Sequence, residues 1–339
     1  MTSSEIETKG PQILDLIKSS KKILLHFHPR PDGDSIGGAL AMKHVLTEMG
    51  KEVTVIKGDS PIPGYLSHLP GIADVVLKNI LEIDLTAFDL FLIQDSGSIG
   101  HVSNLAEVVF PATLKTVCID HHISNEGYGQ LNLIDADFPA VCDLLVSLFT
   151  SWGVVIPRDA AVCLMTGIVT DTGGFRYRGV SARTFKNASI LAEAAPDFAK
   201  VLFLMDNSNT KEKFVYVGLA FSSIKTYLDG TVAISAVSYA DLQSKGVSRE
   251  DAKGGEVSNL LKSVIGWEIG ISAIEEAPGE VKISMRTRDA EKYDLSTVAL
   301  ALGGGGHKGA AGIFLKTSLD DAVQKLVEVI TKLYGAKLN

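Results

Sequence analysis

The chain alternates compact apolar runs with polar segments, and the runs come in two kinds. Segments 22–27, 52–56, 89–94, 115–119 and 131–134 are short, dense and largely β-compatible, and they predict strands. Segments 36–46, 140–150, 159–170, 182–195 and 197–207 carry apolar residues at helical spacing, and 11–20 predicts a short amphipathic helix. A strand, a loop, a helix and a second strand at the start of the chain predict an α/β fold with a doubly wound, mainly parallel sheet.

After Asn207-Ser208-Asn209-Thr210, a linker by composition, the pattern changes. A helix over 211–228 precedes a strand over 231–238, and strands over 268–274 and 280–287 flank Pro278-Gly279 as in a hairpin. A helix over 295–302, a glycine run over 303–309, a strand over 313–316 and a C-terminal helix complete a smaller α/β domain with a mixed sheet. The expected division is 1–207 and 208–339, and 339 residues are enough for two cores.

Three of the expected strands run directly into acidic residues or histidine. The first delivers His26, His28, Asp32, Gly33 and Asp34, the third Asp95-Ser96-Gly97, and the fourth Asp120-His121-His122. A fourth polar cluster, from Asp171 to Arg178, follows the helix over 159–170. In an open parallel sheet ligands bind at the carboxyl ends of strands, so the three strand-end clusters share one edge. Imidazole with carboxylate suits Mn²⁺, Fe²⁺, Co²⁺ or Zn²⁺ better than Ca²⁺ or Mg²⁺, and the lack of cysteine disfavours a structural zinc. Asp32 and Asp34, on a loop freed at Gly33, can face neighbouring positions, which invites two ions about 3.5–4 Å apart. In such a centre a bridging hydroxide would attack phosphorus in line, and nearby His and Arg would hold the charge that develops. The bland alternatives are a solvated turn for Asp32-Gly33-Asp34 and a helix end for Asp171-Thr172-Gly173.

Charge and composition narrow the partners. A formal net charge of −8 argues against an extended grip on duplex nucleic acid and leaves a short anionic substrate open. Cys118, Cys142 and Cys163 sit among apolar neighbours at no zinc spacing, which predicts buried thiols and a cytoplasmic setting. The first residues lack the apolar core of a signal peptide, and no apolar stretch reaches the about 18 residues of a membrane span. The glycine run is neither a P-loop nor a dinucleotide fingerprint, but it can bring backbone N–H groups, His307 and Lys308 to a phosphate, or be a flexible loop. Arg286 and Arg288 alternate on an expected strand, so they share a face that forks onto a phosphate or is merely solvated.

Taken in order, His28-Pro-Arg-Pro-Asp32-Gly-Asp34, Asp95-Ser-Gly, Asp120-His121-His122 and Thr170-Asp171-Thr-Gly resemble the four motifs of the DHH phosphoesterase family. The run from Gly304 through His307 to Gly312 resembles the signature of its DHH-associated C-terminal domain, so the resemblance spans nearly the whole chain. Length and layout are similar to the nanoribonuclease and 3′-phosphoadenosine 5′-phosphate phosphatase branch. The resemblance implies two divalent ions, Mn²⁺ with Mg²⁺ or Co²⁺ as alternatives. His28, Asp32 and Asp95 would bind one, and Asp34, Asp95, His121 and Asp171 the other. It also implies His122 at the scissile phosphate and Asp120 as a ligand or as the group that orients an imidazole. Arg286 and His307 would hold the substrate's terminal phosphate, with Arg288, Gly304, Gly305 and Gly306 as further substrate contacts. Gly38 stands where a serine is common, and Ser96-Gly97 also departs from the family's usual residues; neither removes an implied ligand. The expected activity is hydrolysis of short oligoribonucleotides and of 3′-phosphoadenosine 5′-phosphate. The expected partner is short single-stranded RNA or a small nucleotide, with no duplex, no membrane and room for a homodimer. The rivals are a phosphodiesterase of linear or cyclic dinucleotides, a pyrophosphatase or polyphosphatase, a nucleotide-binding module without turnover, and a structural metal protein.

Overall fold

A computed structural model describes residues 3–177 and 179–338; Arg178, the last residue of the fourth polar cluster, lies outside them. The chain divides into two compact units, Met1–Ser208 and Asn209–Asn339.

The first unit is built on five parallel strands, β1 (Lys22–His26), β2 (Glu52–Ile56), β3 (Leu90–Gln94), β4 (Lys115–Asp120) and β5 (Leu131–Ile134), in the order β2-β1-β3-β4-β5. Alternation along β1 and β3 decides what each face meets. Ile23, Leu25, Leu90 and Leu92 join the core beneath the helices α1 (Ser4–Ser19), α2 (Gly33–Glu48), α3 (Val141–Ser151) and α4 (Arg158–Asp171). Leu24, Phe91 and Ile93 join a second apolar layer with Ile80, Val102 and Leu114. Each fully buried Leu or Ile contributes about 1.5–3 kcal/mol. Helices α5 (Ala182–Ala194) and α6 (Phe198–Asp206) complete this unit. Strand order reverses between β1 and β3, so the crevice at their carboxyl ends is where such a sheet binds ligands.

Two departures from expectation have clear causes. The first helix begins at Ser4 and runs through Pro11, because its buried stripe of Ile6, Gly10, Ile13 and Ile17 keeps helical spacing across the proline. The Trp152 indole N–H also donates to the Gly10 carbonyl at 2.9 Å, anchoring the helix there to the residue that ends α3. Between β2 and β3 the chain forms single turns of 3₁₀ helix at Gly64–Leu66, Ile72–Asp74, Ile80–Glu82 and Leu85–Ala87, a period that neither template detects.

Close helix packing fixes where the carboxylates of α2 and α4 end up. A Cβ on Gly33 would press into Thr170, one on Gly37 would overlap the Cys163 carbonyl, and one on Gly167 would overlap the Cys142 sulfur. The two helices therefore meet backbone to backbone, which brings the first turn of α2 beside the last turn of α4.

The second unit carries a mixed sheet in the order β10-β11-β9-β8-β7-β6. Its strands are β6 (Lys225–Tyr227), β7 (Val232–Val237), β8 (Ile269–Ala277), β9 (Glu280–Thr287), β10 (Gly305–His307) and β11 (Ala310–Lys316). Among the described residues of this sheet only β7 and β8 pair in parallel. Helices α7 (Lys211–Ser222), α8 (Tyr239–Ser244), α9 (Gly254–Leu261), α10 (Leu295–Ala301) and α11 (Leu319–Leu338) accompany it. The expected helix over 211–228 stops at Ser222, because Lys225–Tyr227 pairs with β7 as strand β6, and Leu228, Asp229 and Gly230, all at positive φ, make the turn between the two strands. Part of the glycine run is strand: Gly305, Gly306 and His307 pair with Gly312, Ala311 and Ala310. Glycine is required there, because a Cβ on Gly304 would overlap the Gly312 carbonyl and Gly306 sits at φ 141.

Candidate metal centre

Three strand ends and two helix ends deliver the candidate side chains of the first unit to one place. After β1 the chain turns through Arg30 at φ 58, and the His28 backbone N–H donates to Ser35 Oγ at 3.1 Å. Asp32 is the N-cap of α2, its Oδ1 accepting from the N–H groups of Asp34 and Ser35 at 3.0 and 3.1 Å. Asp34 lies two residues on, within the first turn of α2, and is fully buried. Its two oxygens accept from Val141 N at 2.6 Å and Cys142 N at 2.9 Å, so it caps α3, whose own N-cap residue Ala140 offers no side-chain bond. Asp95 follows β3 at φ 50, and Asp171 is the last residue of α4.

The three imidazoles are prepared alike. Nδ1–H of His28 donates to the Pro29 carbonyl at 2.9 Å, that of His121 to the Phe138 carbonyl at 3.2 Å, and that of His122 to Asp120 Oδ1 at 2.8 Å. Each neutral ring therefore carries its lone pair on Nε2, the tautomer seen in metal-binding histidines. His121 Nε2 is buried without a hydrogen-bond partner, as expected of an atom reserved for a cation.

Asp95 joins two donor sets. Its Oδ2 lies 3.3 Å from His28 Nε2, with Asp32 Oδ1 4.0 Å from the same nitrogen. Its Oδ1 lies 3.5 Å from His121 Nε2, which is also 3.5 Å from Asp171 Oδ2 and 3.8 Å from Asp34 Oδ2. Ligand atoms of His28, Asp32 and Asp95, and those of Asp34, His121 and Asp171, are each grouped closely enough to hold one ion. The donor atoms, nitrogen and carboxylate oxygen without thiolate, fit a borderline or hard divalent cation.

Charge is crowded accordingly. Burial and the Asp95 charge push Asp34 up to about 7, and burial with the Asp34 and Asp95 charges pushes Asp171 up to about 8. Asp32 is raised by burial and Asp95 as well. Burial opposes the charged form of His28 and His121, but close contact with the Asp95 carboxylate and its charge prevail and hold them at about 9 and about 10. Asp95 is also opposed by burial, yet its contacts with His121 and His28 keep it well below the ordinary carboxylate range. A pocket whose carboxylates repel one another this strongly is stabilised by positive charge.

The remaining candidates are placed as follows. Asp120 is fully buried; besides His122 it accepts from the His121 N–H at 2.9 Å and from Asn125 Nδ2 at 2.7 Å. His122, with 39% of its side chain exposed, is the most open of the three rings. His26 takes no part: it is buried against Phe91, and burial pushes it down to about 3. In the second unit β9 ends at Thr287, so Arg288 follows the strand; its Nη1 donates to the Val264 carbonyl at 2.8 Å, while Arg286 bonds the Met285 carbonyl at 2.9 Å and approaches Gly255 of α9. Gly305, Gly306 and His307 are exposed on the edge strand, and Gly304 precedes it. Sequence reasoning missed His101, an exposed ring 6.2 Å from that of His28, and Asn125 and Tyr128 behind Asp120 and Ser96. An isolated polar side chain in a loop gives no periodic signal; only its nearness to His122 in the chain hinted at Asn125.

The DHH family N-terminal domain model matches residues 22–168, and the DHHA1 domain model matches residues 229–335. The chain belongs to the DHH family. This DHH chain is therefore a phosphoesterase, a hydrolase whose acidic and imidazole cluster a metal ion can occupy. It is 28% identical over 314 residues to the bifunctional oligoribonuclease and PAP phosphatase NrnA of Thermus thermophilus, covering 91% of this chain and 89% of that protein. It is 26% identical to the Mycoplasma genitalium protein of the same name, covering 94% and 97%. The fold of the DHH chain matches that of an exopolyphosphatase-related protein from Bacteroides fragilis, with a TM-score of 0.89, 23% identity and 98% coverage of both chains. Among the described residues no helix is long and apolar enough to cross a membrane.

Proposed function

We infer that the chain is a Mn²⁺-dependent phosphohydrolase of short oligoribonucleotides and of 3′-phosphoadenosine 5′-phosphate. The observation that carries this reading is Asp95, whose two oxygens face separate imidazole donors at 3.3 and 3.5 Å, the arrangement a shared ligand of two ions needs. His28, Asp32 and Asp95 would hold one ion, and Asp34, Asp95, His121 and Asp171 the other. Bound divalent ions supply Lewis acidity toward phosphoryl oxygens and lower the pKa of water.

The chain's own residues supply orientation and charge. His122, fixed through Nδ1 by Asp120, presents Nε2 toward the open side, where it can bond a phosphoryl oxygen. On the second unit Arg286 and His307, with Arg288 and Gly304, Gly305 and Gly306 beside them, are the proposed contacts to a terminal phosphate. The substrate class is supported by the names of the relatives from Thermus thermophilus and Mycoplasma genitalium, matched over most of both chains. Purified protein with Mn²⁺ is expected to release mononucleotides from RNA dimers to pentamers and phosphate from bisphosphorylated adenosine. Inactivity on both, with metal bound, rejects the reading. Asp34→Asn should abolish turnover, whereas a binding module would keep its nucleotide affinity.

A further inference from the structure

The loop after His122 contains one side chain that touches both sides of the centre. Asn125 is buried, and its amide has a single orientation, because Oδ1 accepts from the Gly127 N–H at 2.9 Å and Nδ2 must point away from it. That Nδ2 donates to Asp120 Oδ2 at 2.7 Å and lies 3.2 Å from the Ser96 carbonyl. Asp120 is the carboxylate that fixes His122, and Ser96 is the residue after Asp95. The same Ser96 carbonyl accepts from the Tyr128 hydroxyl at 2.7 Å.

These contacts bear on a residue with an uncommon backbone conformation. Asp95 at φ 50 is in the left-handed region, which aspartate tolerates better than most non-glycine residues yet which its surroundings must still favour over the extended alternative. A buried carbonyl gripped by two side-chain donors directly after Asp95 supplies that preference. An ordinary loop turn at Asn125 accounts for the Gly127 contact, which uses Oδ1 alone; it leaves unexplained why Nδ2 falls on Asp120 and Ser96.

We propose that Asn125, assisted by Tyr128, is a positioning residue that holds His122 and Asp95 in register across the centre. The activity arm of its test rests on the phosphoesterase reading above; the binding arm does not.

Mn²⁺ titration of the metal-free protein, followed by the electron spin resonance of free Mn²⁺, is combined with kinetics on bisphosphorylated adenosine for wild type, Asn125→Ala, Tyr128→Phe, His122→Ala and the Asn125→Ala/His122→Ala double variant. Asn125→Ala is expected to weaken Mn²⁺ binding and to lower kcat, each by about 10–100-fold, with KM unchanged. Tyr128→Phe moves both in the same direction by less than about tenfold. In the His122→Ala background Asn125→Ala keeps its effect on Mn²⁺ affinity, which acts through Asp95, and loses most of its effect on kcat. Wild-type Mn²⁺ affinity in Asn125→Ala, or a change confined to KM, overturns the proposal. Should Asn125→Ala fail to fold by circular dichroism, Tyr128→Phe, which deletes one hydroxyl, decides: unchanged Mn²⁺ affinity overturns the proposal and weakened affinity supports it. A wild type inactive on every phosphoester, with Asn125→Ala still weaker for Mn²⁺, rejects the phosphoesterase reading and upholds this one.

Discussion

The two donor sets that meet at Asp95 are held in different ways. His28 and Asp32 come from one loop, four residues apart, and the Asp32 side chain is 46% exposed. Asp34, His121 and Asp171 come from the start of α2, the end of β4 and the end of α4, and the Asp34 side chain is 1% exposed. A set on one loop can relax when its charges go unbalanced. A set wedged between packed elements cannot, because the packing that fixes it is that of the core. Affinity and rigidity should therefore concentrate on the buried set, and exchange on the loop set.

The strongest way to break this comparison is to remove the residue both sets use. Asp95→Asn keeps the shape, and Asn tolerates the left-handed backbone, yet activity should fall by more than about 10³-fold and Mn²⁺ stoichiometry should drop. Calorimetry showing two wild-type sites in this variant would contradict the shared-ligand geometry. Next, His121→Ala is expected to cost more Mn²⁺ affinity than Asp32→Ala, by about tenfold, from within the 10–100-fold range typical of metal-site changes. Equal losses would mean that burial does not distinguish the sets.

Smaller effects sharpen the comparison. Gly167→Ala forces a methyl against Cys142 and Asp34, so it should destabilise the chain by about 1–3 kcal/mol and weaken binding through the buried set. Gly218→Ala on α7, where a Cβ meets open space, should instead stabilise by about 0.5–1 kcal/mol. Urea denaturation measures both, and a neutral Gly167→Ala would refute the close-packing account.

The smallest expected effect is on pH. In the metal-free protein Asp34 and Asp171, pushed up to about 7 and about 8, keep protons that the unfolded chain has lost above about pH 4, so stability falls as pH rises from about 4 to about 8. His28 and His121, at about 9 and about 10, contribute stability that is complete below about pH 6.5 and lost as pH climbs through their folded values. Asp95, held low, contributes above about pH 4 and loses that contribution only in acid. Between pH 6 and 9 the metal-free Tm should decline, and saturating Mn²⁺, which binds the deprotonated ligands, should remove the decline. A metal-free Tm that climbs over this interval would show that the carboxylates are not crowded as described.

What the sequence made legible follows from physics that acts locally. Strand-forming runs ending in Asp95 or Asp120-His121-His122 announce a sheet edge, because strand periodicity and the ligand-binding edge of a parallel sheet are both readable within a few residues. The backbone-to-backbone crossing of α2 and α4 was not legible: Gly33, Gly37 and Gly167 look like ordinary weak points of helices until their distant neighbours are known. Neither was the strand character of Gly305–His307, since glycine carries no strand preference of its own and pairs there only because β11 lies alongside. Asn125 escaped for the same reason, its partners being set by the turn that follows β4.

Asp34 begins a second helix as well as its own cluster: its carboxylate seats the first N–H groups of α3, 107 residues downstream. If this acid also holds a cation, as proposed, evolution cannot retire it from that role without finding α3 another beginning. A lineage that lost catalysis would be under pressure to keep Asp34 all the same, so its persistence alone is a poor witness to activity, and the company of His121 and Asp171 is the better one.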